Sequence, residues 1–349
     1  MSLSISQSSK AYINFSSIPK DMALGEIQTY GFVAACLLGI TAIVTFIGFV
    51  HEQLNKDKTE DGAEKDIKPC FHSEKSEKSE KSLQETVVES SSSDWQGELT
   101  NDQVKALVAY LDRVDDDGSL EKLLVTIANC CAFTNNQILF AKCGAIPKLL
   151  FLLSKHESSK IRTKAVQTLA NLANCLENQH YIKDSLPGLI NKLVSLPGLQ
   201  EEEETVAILH LLVNMSIVNT WHGAIVTGTS NILQVISSSP HKTKTNALRL
   251  LVNLSCSPEN TRRLLEEKVL DEMCTLLNVC TAEDDALRII TIIANILSFE
   301  KKDPQLRHLI TDTRAALQVK LASLRGDHMA NGNITDMIDR ANQLLAEFQ

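Results

Sequence analysis

An asparagine returns five times in the same apolar frame along the chain. It stands in Ile-Ala-Asn-Cys at Asn129, Leu-Ala-Asn-Leu at Asn171, Leu-Val-Asn-Met at Asn214, Leu-Val-Asn-Leu at Asn253 and Ile-Ala-Asn-Ile at Asn295. The intervals are 42, 43, 39 and 42 residues. A fixed period of this length means an array of equal modules, each burying its hydrophobic face only against the next. The modules read as helical. Ile161, Ala165, Leu169 and Leu172, like Ala247, Leu250, Leu251 and Leu254, keep the 3.6-residue spacing of one helix face. A second element recurs between them. In Gly144-Ala-Ile-Pro147-Lys-Leu-Leu the glycine suits the end of a short helix and the proline the first turn of the next. Weaker echoes stand at Leu186-Pro187-Gly-Leu-Ile, Ser230-Asn-Ile-Leu233 and Val269-Leu270.

Composition agrees with helix packed on helix. Aromatic residues make up 5% of 349, with 14 Gly and 8 Pro, too few for the turns and aromatic strands of a β-sandwich or barrel. The formal charge of −9 excludes a protein that grips nucleic acid through its phosphates alone. Nine cysteines, an odd and scattered set, do not form a disulfide framework and point to a reducing compartment.

Three helices per period, one short and two longer, is the armadillo unit, and residues 100–349 resemble armadillo-repeat proteins. Within these they are similar to the membrane-anchored group containing armadillo repeat-containing protein 10 and the X-linked armadillo-repeat proteins. The resemblance is carried by Asn129-Cys-Cys-Ala-Phe133-Thr-Asn-Asn136-Gln137, Leu211-Leu-Val-Asn214-Met-Ser216 and Leu250-Leu-Val-Asn253-Leu-Ser255. It implies an all-α, right-handed superhelix of about five to six repeats with a concave groove for protein partners. It also implies an outer mitochondrial membrane address, in part the endoplasmic reticulum, and partners in the kinesin adaptor machinery that distributes mitochondria. Thr100 and Gln103 form a capping box for a first helix through Ala106, Leu107 and Tyr110, with Asp115 to Asp117 as a polar turn after it. A last helix is expected over Ile334 to Phe348, with Ile338, Ala341 and Leu345 on one face and Asn342 as a sixth, irregular rung.

The N-terminal part reads differently. No Asp, Glu, Lys or Arg occurs between Glu26 and Glu52, and eleven of the 20 residues from Gly31 to Val50 are Leu, Ile, Val or Phe. As a helix they span ~30 Å, and their insertion is favoured by roughly 3–7 kcal/mol. The expected organisation is a leader over 1–29, a transmembrane anchor over 30–51, a disordered linker over 52–94 and the array over 95–349. Lys56, Lys58, Lys65 and Lys68 follow the span, against Lys10 and Lys20 before it, so the array is expected on the cytosolic side. Gly31, Ala35 and Gly39 form a small-residue row through which two anchors can pack as a dimer. The linker carries the run Ser73 to Ser82, Ser-Glu-Lys repeated, which buries too little apolar surface to order and offers serines for phosphorylation.

The partner-binding expectation falls on the ladder Asn129, Asn171, Asn214, Asn253 and Asn295. The residues four earlier are Val125, Gln167, His210, Arg249 and Thr291. In armadillo proteins resembling the nuclear-import receptors the asparagine bonds the backbone of an extended peptide and a tryptophan at that earlier position stacks on lysine stems. No tryptophan stands there, so a receptor of that type is not expected. Each asparagine offers two donors and an acceptor, either to a bound backbone or to the neighbouring repeat.

Two of four glycosylation sequons, at Asn214 and Asn253, fall on the ladder, and the others are at Asn14 and Asn333; a glycan on a rung would block stacking. This favours a cytosolic array over the alternative, a lumenal or cell-surface binding protein of the same fold. No cysteine or histidine spacing suggests a metal site, and no phosphate loop or nucleophile elbow occurs, so no cofactor and no catalysis are expected. Cys130, Cys131 and Cys175 read as small buried hydrophobes, and Glu201 to Glu204 as an exposed loop before a helix starting at Thr205.

Overall fold

The structure is a computed structural model that describes residues 98–195, 201–278, 282–300, 304–327 and 332–346. The leader, the anchor with its Gly31, Ala35 and Gly39 row, and the linker lie outside the described residues. Among the described residues every regular element is a helix, and no single helix is long and apolar enough to cross a membrane.

The chain divides into two units at Cys143. The first holds α1 (Asn101–Tyr110), α2 (Asp117–Cys130) and α3 (Thr134–Lys142). Its capping box forms as the sequence predicts. Thr100 Oγ1 accepts from Gln103 N at 3.3 Å, and Thr100 N donates to Gln103 Oε1 at 2.9 Å. Asp116, within the expected polar turn, caps α2 by accepting from Ser119 N at 2.8 Å. That bond to the helix start holds its carboxyl below the usual range. Leu107, Leu123, Leu124, Ile127 and Phe140 are buried.

The second unit holds α4 (Ala145–Lys155), α5 (Ser159–Leu172), α6 (Leu186–Ser195), α7 (Glu202–Met215), α8 (His222–Val226), α9 (Thr229–Ser238), α10 (His241–Ser255), α11 (Pro258–Glu266), α12 (Val269–Leu277), α13 (Glu283–Glu300), α14 (Thr311–Asp327) and α15 (Gly332–Ala346). Four ladder helices lie side by side, α5 on α7, α7 on α10 and α10 on α13, and α13 packs on α15. An outer layer covers them, with α4 on α5, α6 on α7, α9 on α10 and α12 on α13. Leu250, Leu251 and Leu254 of α10 are wholly buried, each contributing about 1.5–3 kcal/mol through lost water contact.

Punctuation follows the sequence. Gly144 takes the left-handed conformation at φ 82°, and Pro147 and Pro187 fall in the first turns of α4 and α6. The same backbone turn before α12 is made by Lys268 at φ 62°, a conformation that strains a residue with a Cβ. Before α9, Gly228 is needed for another reason, since a Cβ there would stand 2.2 Å from Ile190 Cγ2.

The short first helix of each period varies. It is a nine-residue helix in two repeats, α3 and α11, and in others loosens into the 3-10 turns Leu176–Tyr181 and Lys183–Ser185, or Asn219–Trp221 followed by α8. The final helix matches its expectation, with Ile334, Ile338, Ala341 and Leu345 of α15 buried.

Glu201 to Glu204 corrects the sequence reading. The helix α7 begins at Glu202, not Thr205, and Glu204 is 1% exposed. Its carboxylate is held by Arg162 of α5, with Nη2 at 2.8 Å, and by Lys192 of α6, with Nζ at 3.0 Å. A carboxylate between two cations tolerates burial that it would otherwise resist.

Candidate partner-binding face

The ladder asparagines arise from a common local cause. Each sits in the last turns of a long amphipathic helix, flanked by aliphatic residues that fix it on the outer edge of the buried stripe. Asn171, Asn214, Asn253 and Asn295 are half-buried in the second unit, whereas Asn129 in α2 is exposed. The stacking of α5, α7, α10 and α13 therefore brings four of the five into one row.

Their side chains reach backwards. Asn214 Nδ2 donates to Ala170 O at 2.8 Å. Asn253 Nδ2 donates to Val213 O at 3.3 Å, the equivalent carbonyl one repeat later, and to Ser216 Oγ at 2.9 Å. Asn295 Nδ2 donates to Ser255 Oγ at 3.1 Å. These three rungs thus brace their helices against the preceding repeat. Among the described residues no donor reaches Oδ1 of Asn214, Asn253 or Asn295, which leaves each with an acceptor to offer.

A second polar row stands behind the first. Seven and eight residues after the first four asparagines come Asn136 and Gln137, Asn178 and Gln179, Trp221 and His222, Asn260 and Thr261. Asn136, Asn178 and Asn260 donate to Cys130 O, Leu172 O and Leu254 O at 2.9, 3.0 and 2.8 Å. Gln137 and Gln179 donate to Cys131 O and Ala173 O at 2.7 and 3.0 Å. These carbonyls close the ladder helices, where four C=O groups per helix lack an intrahelical donor. His222 does the same service, with Nε2 2.8 Å from Ser216 O. The nitrogen beside a carbonyl must carry the proton, so Nδ1 accepts from Ser257 Oγ at 2.9 Å and Asn260 Nδ2 at 3.1 Å. Gln179 further ties repeats together through Asn214 O at 3.1 Å and Trp221 Nε1 at 2.8 Å. The sequence reading quoted Asn136 and Gln137 without assigning them. The signal was the recurrence Thr-Asn-Asn-Gln, Leu-Glu-Asn-Gln, Pro-Glu-Asn-Thr at one offset from the ladder.

On the open face, one helical turn before the asparagines, the chemistry differs at every rung. Gln167 is half-buried and accepts from Lys164 Nζ at 3.3 Å. His210 and Arg249 are exposed, and Arg249 Nη1 donates to Asn246 Oδ1 at 3.3 Å. Although the residue as a whole is exposed, desolvation of its ring by neighbouring atoms pushes the His210 imidazole below its usual value, and the charges of Arg249 and Lys242 push the same way. Val125, in the first unit, is 37% exposed. Beside the rungs a cleft of about 380 Å³ is lined by Ser216, Ile217, Val218, Asn253, Cys256 and Ser257 among others. Ile217 is 63% exposed at its rim.

The thiols fit the core reading. Burial raises Cys130 to about 12 and Cys131 well above its usual value, and Cys175 is also buried. A raised thiol is a poor nucleophile and a poor metal ligand. Among the described residues no group of His, Cys, Asp and Glu is placed to hold a metal ion.

Stacked helical repeats of this kind define a class, the α-solenoid. The chain belongs to the armadillo-like family, whose model matches residues 99–319. Among solved structures it is similar to a designed armadillo repeat protein, YIII(Dq)4CqI, at 19% identity and TM-score 0.59, covering 69% of this chain and 99% of that one. Computationally designed armadillo repeat proteins for modular peptide recognition match at 20% identity and TM-score 0.57, over 69% and 99%. A third designed armadillo protein, solved in complex with the peptide (KR)4, matches at 18% and TM-score 0.59, again over 69% and 99%. At these identities the likeness is one of fold.

Proposed function

We propose that the chain is a non-enzymatic adaptor whose armadillo array takes an extended segment of a partner protein along the ladder face. The observation that carries this is the row of Asn214, Asn253 and Asn295 on adjacent helices, each braced through Nδ2 and with no donor to its Oδ1 among the described residues. Backbone amides of an extended segment are the natural donors for such a row. Designed armadillo proteins made for peptide recognition support the reading.

The finer part of the proposal comes from sequence. The apolar run from Gly31 to Val50 anchors the protein in a membrane, and the lysines after it place the array in the cytosol. The membrane is that of the mitochondrial surface, with the endoplasmic reticulum as the alternative, as in the anchored group containing armadillo repeat-containing protein 10. A role in mitochondrial distribution, through transport adaptor machinery, follows from the same resemblance. The Gly31, Ala35 and Gly39 row makes the anchor a candidate dimer contact.

Photo-crosslinking residues placed at Gln167 and His210 should capture a partner in cells, and the same residue at exposed Phe151 of α4 should not. Equal capture at all three positions would refute the groove. Protease added to intact organelles should degrade the array; protection would place it in a lumen instead.

A further inference from the structure

The ladder face is basic in an acidic protein. Against a net charge of −9, the positions four and seven residues before Asn171, Asn214, Asn253 and Asn295 hold Lys164, His210, Arg249 and Arg288 and no carboxylate. Arg288 is committed to the buried Asp285 at 3.2 Å. Among the described residues no carboxylate pairs with Lys164, Lys242 or Arg249; Lys164 and Arg249 reach only the amide oxygens of Gln167 and Asn246. The acids on this face, Glu203 and Asp284, stand at the starts of α7 and α13, about three turns before Asn214 and Asn295 and in the same register as Lys242 before Asn253, so the rung-proximal cations are Lys164 and Arg249. Arg249 and His210 hold the same position, four residues before successive rungs, on the adjacent helices α10 and α7.

We infer that the partner segment is acidic: an extended peptide with a carboxylate every two or three residues, held along Lys164, His210 and Arg249, with an apolar side chain resting on Ile217. The spacing follows from packing. Neighbouring ladder helices lie ~8–10 Å apart, and an extended chain advances ~3.3 Å per residue. The unpaired cations supply attraction and steering, the Oδ1 row fixes the backbone, and the cleft beside Asn253 admits the apolar group. This rests on the groove reading above and adds the sign of the partner's charge.

The test uses the full chain and fluorescein-labelled peptides in an anisotropy titration. Four repeats of Glu-Ser-Leu should bind at least about tenfold more tightly than four repeats of Gln-Ser-Leu, and should weaken as salt rises. The (KR)4 peptide should not bind. The double variant Lys164→Glu with Arg249→Glu should lose about tenfold affinity for the acidic peptide, with unchanged circular dichroism, and the milder Arg249→Gln should lose part of it. Equal binding of the acidic and neutral peptides, or a preference for (KR)4, overturns the charge assignment while the groove stands. If no peptide binds at all, the charge assignment and the groove reading both fall.

Discussion

Two polar layers run through the second unit, and they are built to different rules. The inner one, at the turns after each ladder helix, is buried and nearly uniform: Asn178, Gln179, His222 and Asn260 all answer helix-end carbonyls. The outer one, a turn before each rung, is accessible and different every time: Gln167, His210, Arg249, Thr291. Uniform chemistry meets a need that repeats with the fold, since every helix ends in orphan carbonyls. Varied chemistry at equivalent positions meets no such need and is free to recognise something. The ladder asparagines stand between, bracing the repeat through Nδ2 and open at Oδ1.

The contrast can be broken hardest at its buried end. Glu204→Ala leaves Arg162 and Lys192 facing each other without their shared carboxylate and should cost about 3–5 kcal/mol in urea unfolding. Asn178→Ala strips the donor from Leu172 O and should cost about 1–3 kcal/mol by the same measurement. Turn geometry gives a smaller, signed effect. Gly144→Ala should destabilise by about 1–2 kcal/mol and Lys268→Gly should stabilise by up to ~1 kcal/mol, because both positions need the left-handed conformation.

The outer layer should show the smallest effect, and with a pH signature. His210 is held below the usual imidazole range, so the unfolded chain takes up its proton first as pH falls. Its contribution is complete above the unfolded value of ~6.5 and is lost as pH drops through that value toward the folded one. His210→Gln should flatten the slope of stability against pH in that window and leave it unchanged above.

Much of this was legible in the sequence because its cause is local or periodic. The period, the ladder, the capping box at Thr100 and the last helix with Ile338 and Leu345 all follow from spacing. Glu204 was misread because its partners, Arg162 and Lys192, lie one repeat back and nothing beside it in sequence announces them. The direction of the asparagine side chains was undecided for a related reason: a residue at the edge of a helix stripe can face the neighbour or the groove, and only the stacking distance decides. The basic character of the face was hidden by a net negative charge averaged over the whole chain.

The division between holding and recognising is tested most directly by measuring unfolding free energy and affinity for the acidic peptide side by side in two variants of the full chain. Arg249→Ala should stay within ~0.5 kcal/mol of the parent in stability and lose several-fold in affinity, whereas Asn260→Ala should lose about 1–3 kcal/mol and, still folded, bind as the parent does. The account is contradicted if Arg249→Ala unfolds the array, or if Asn260→Ala abolishes binding at a temperature where it remains folded.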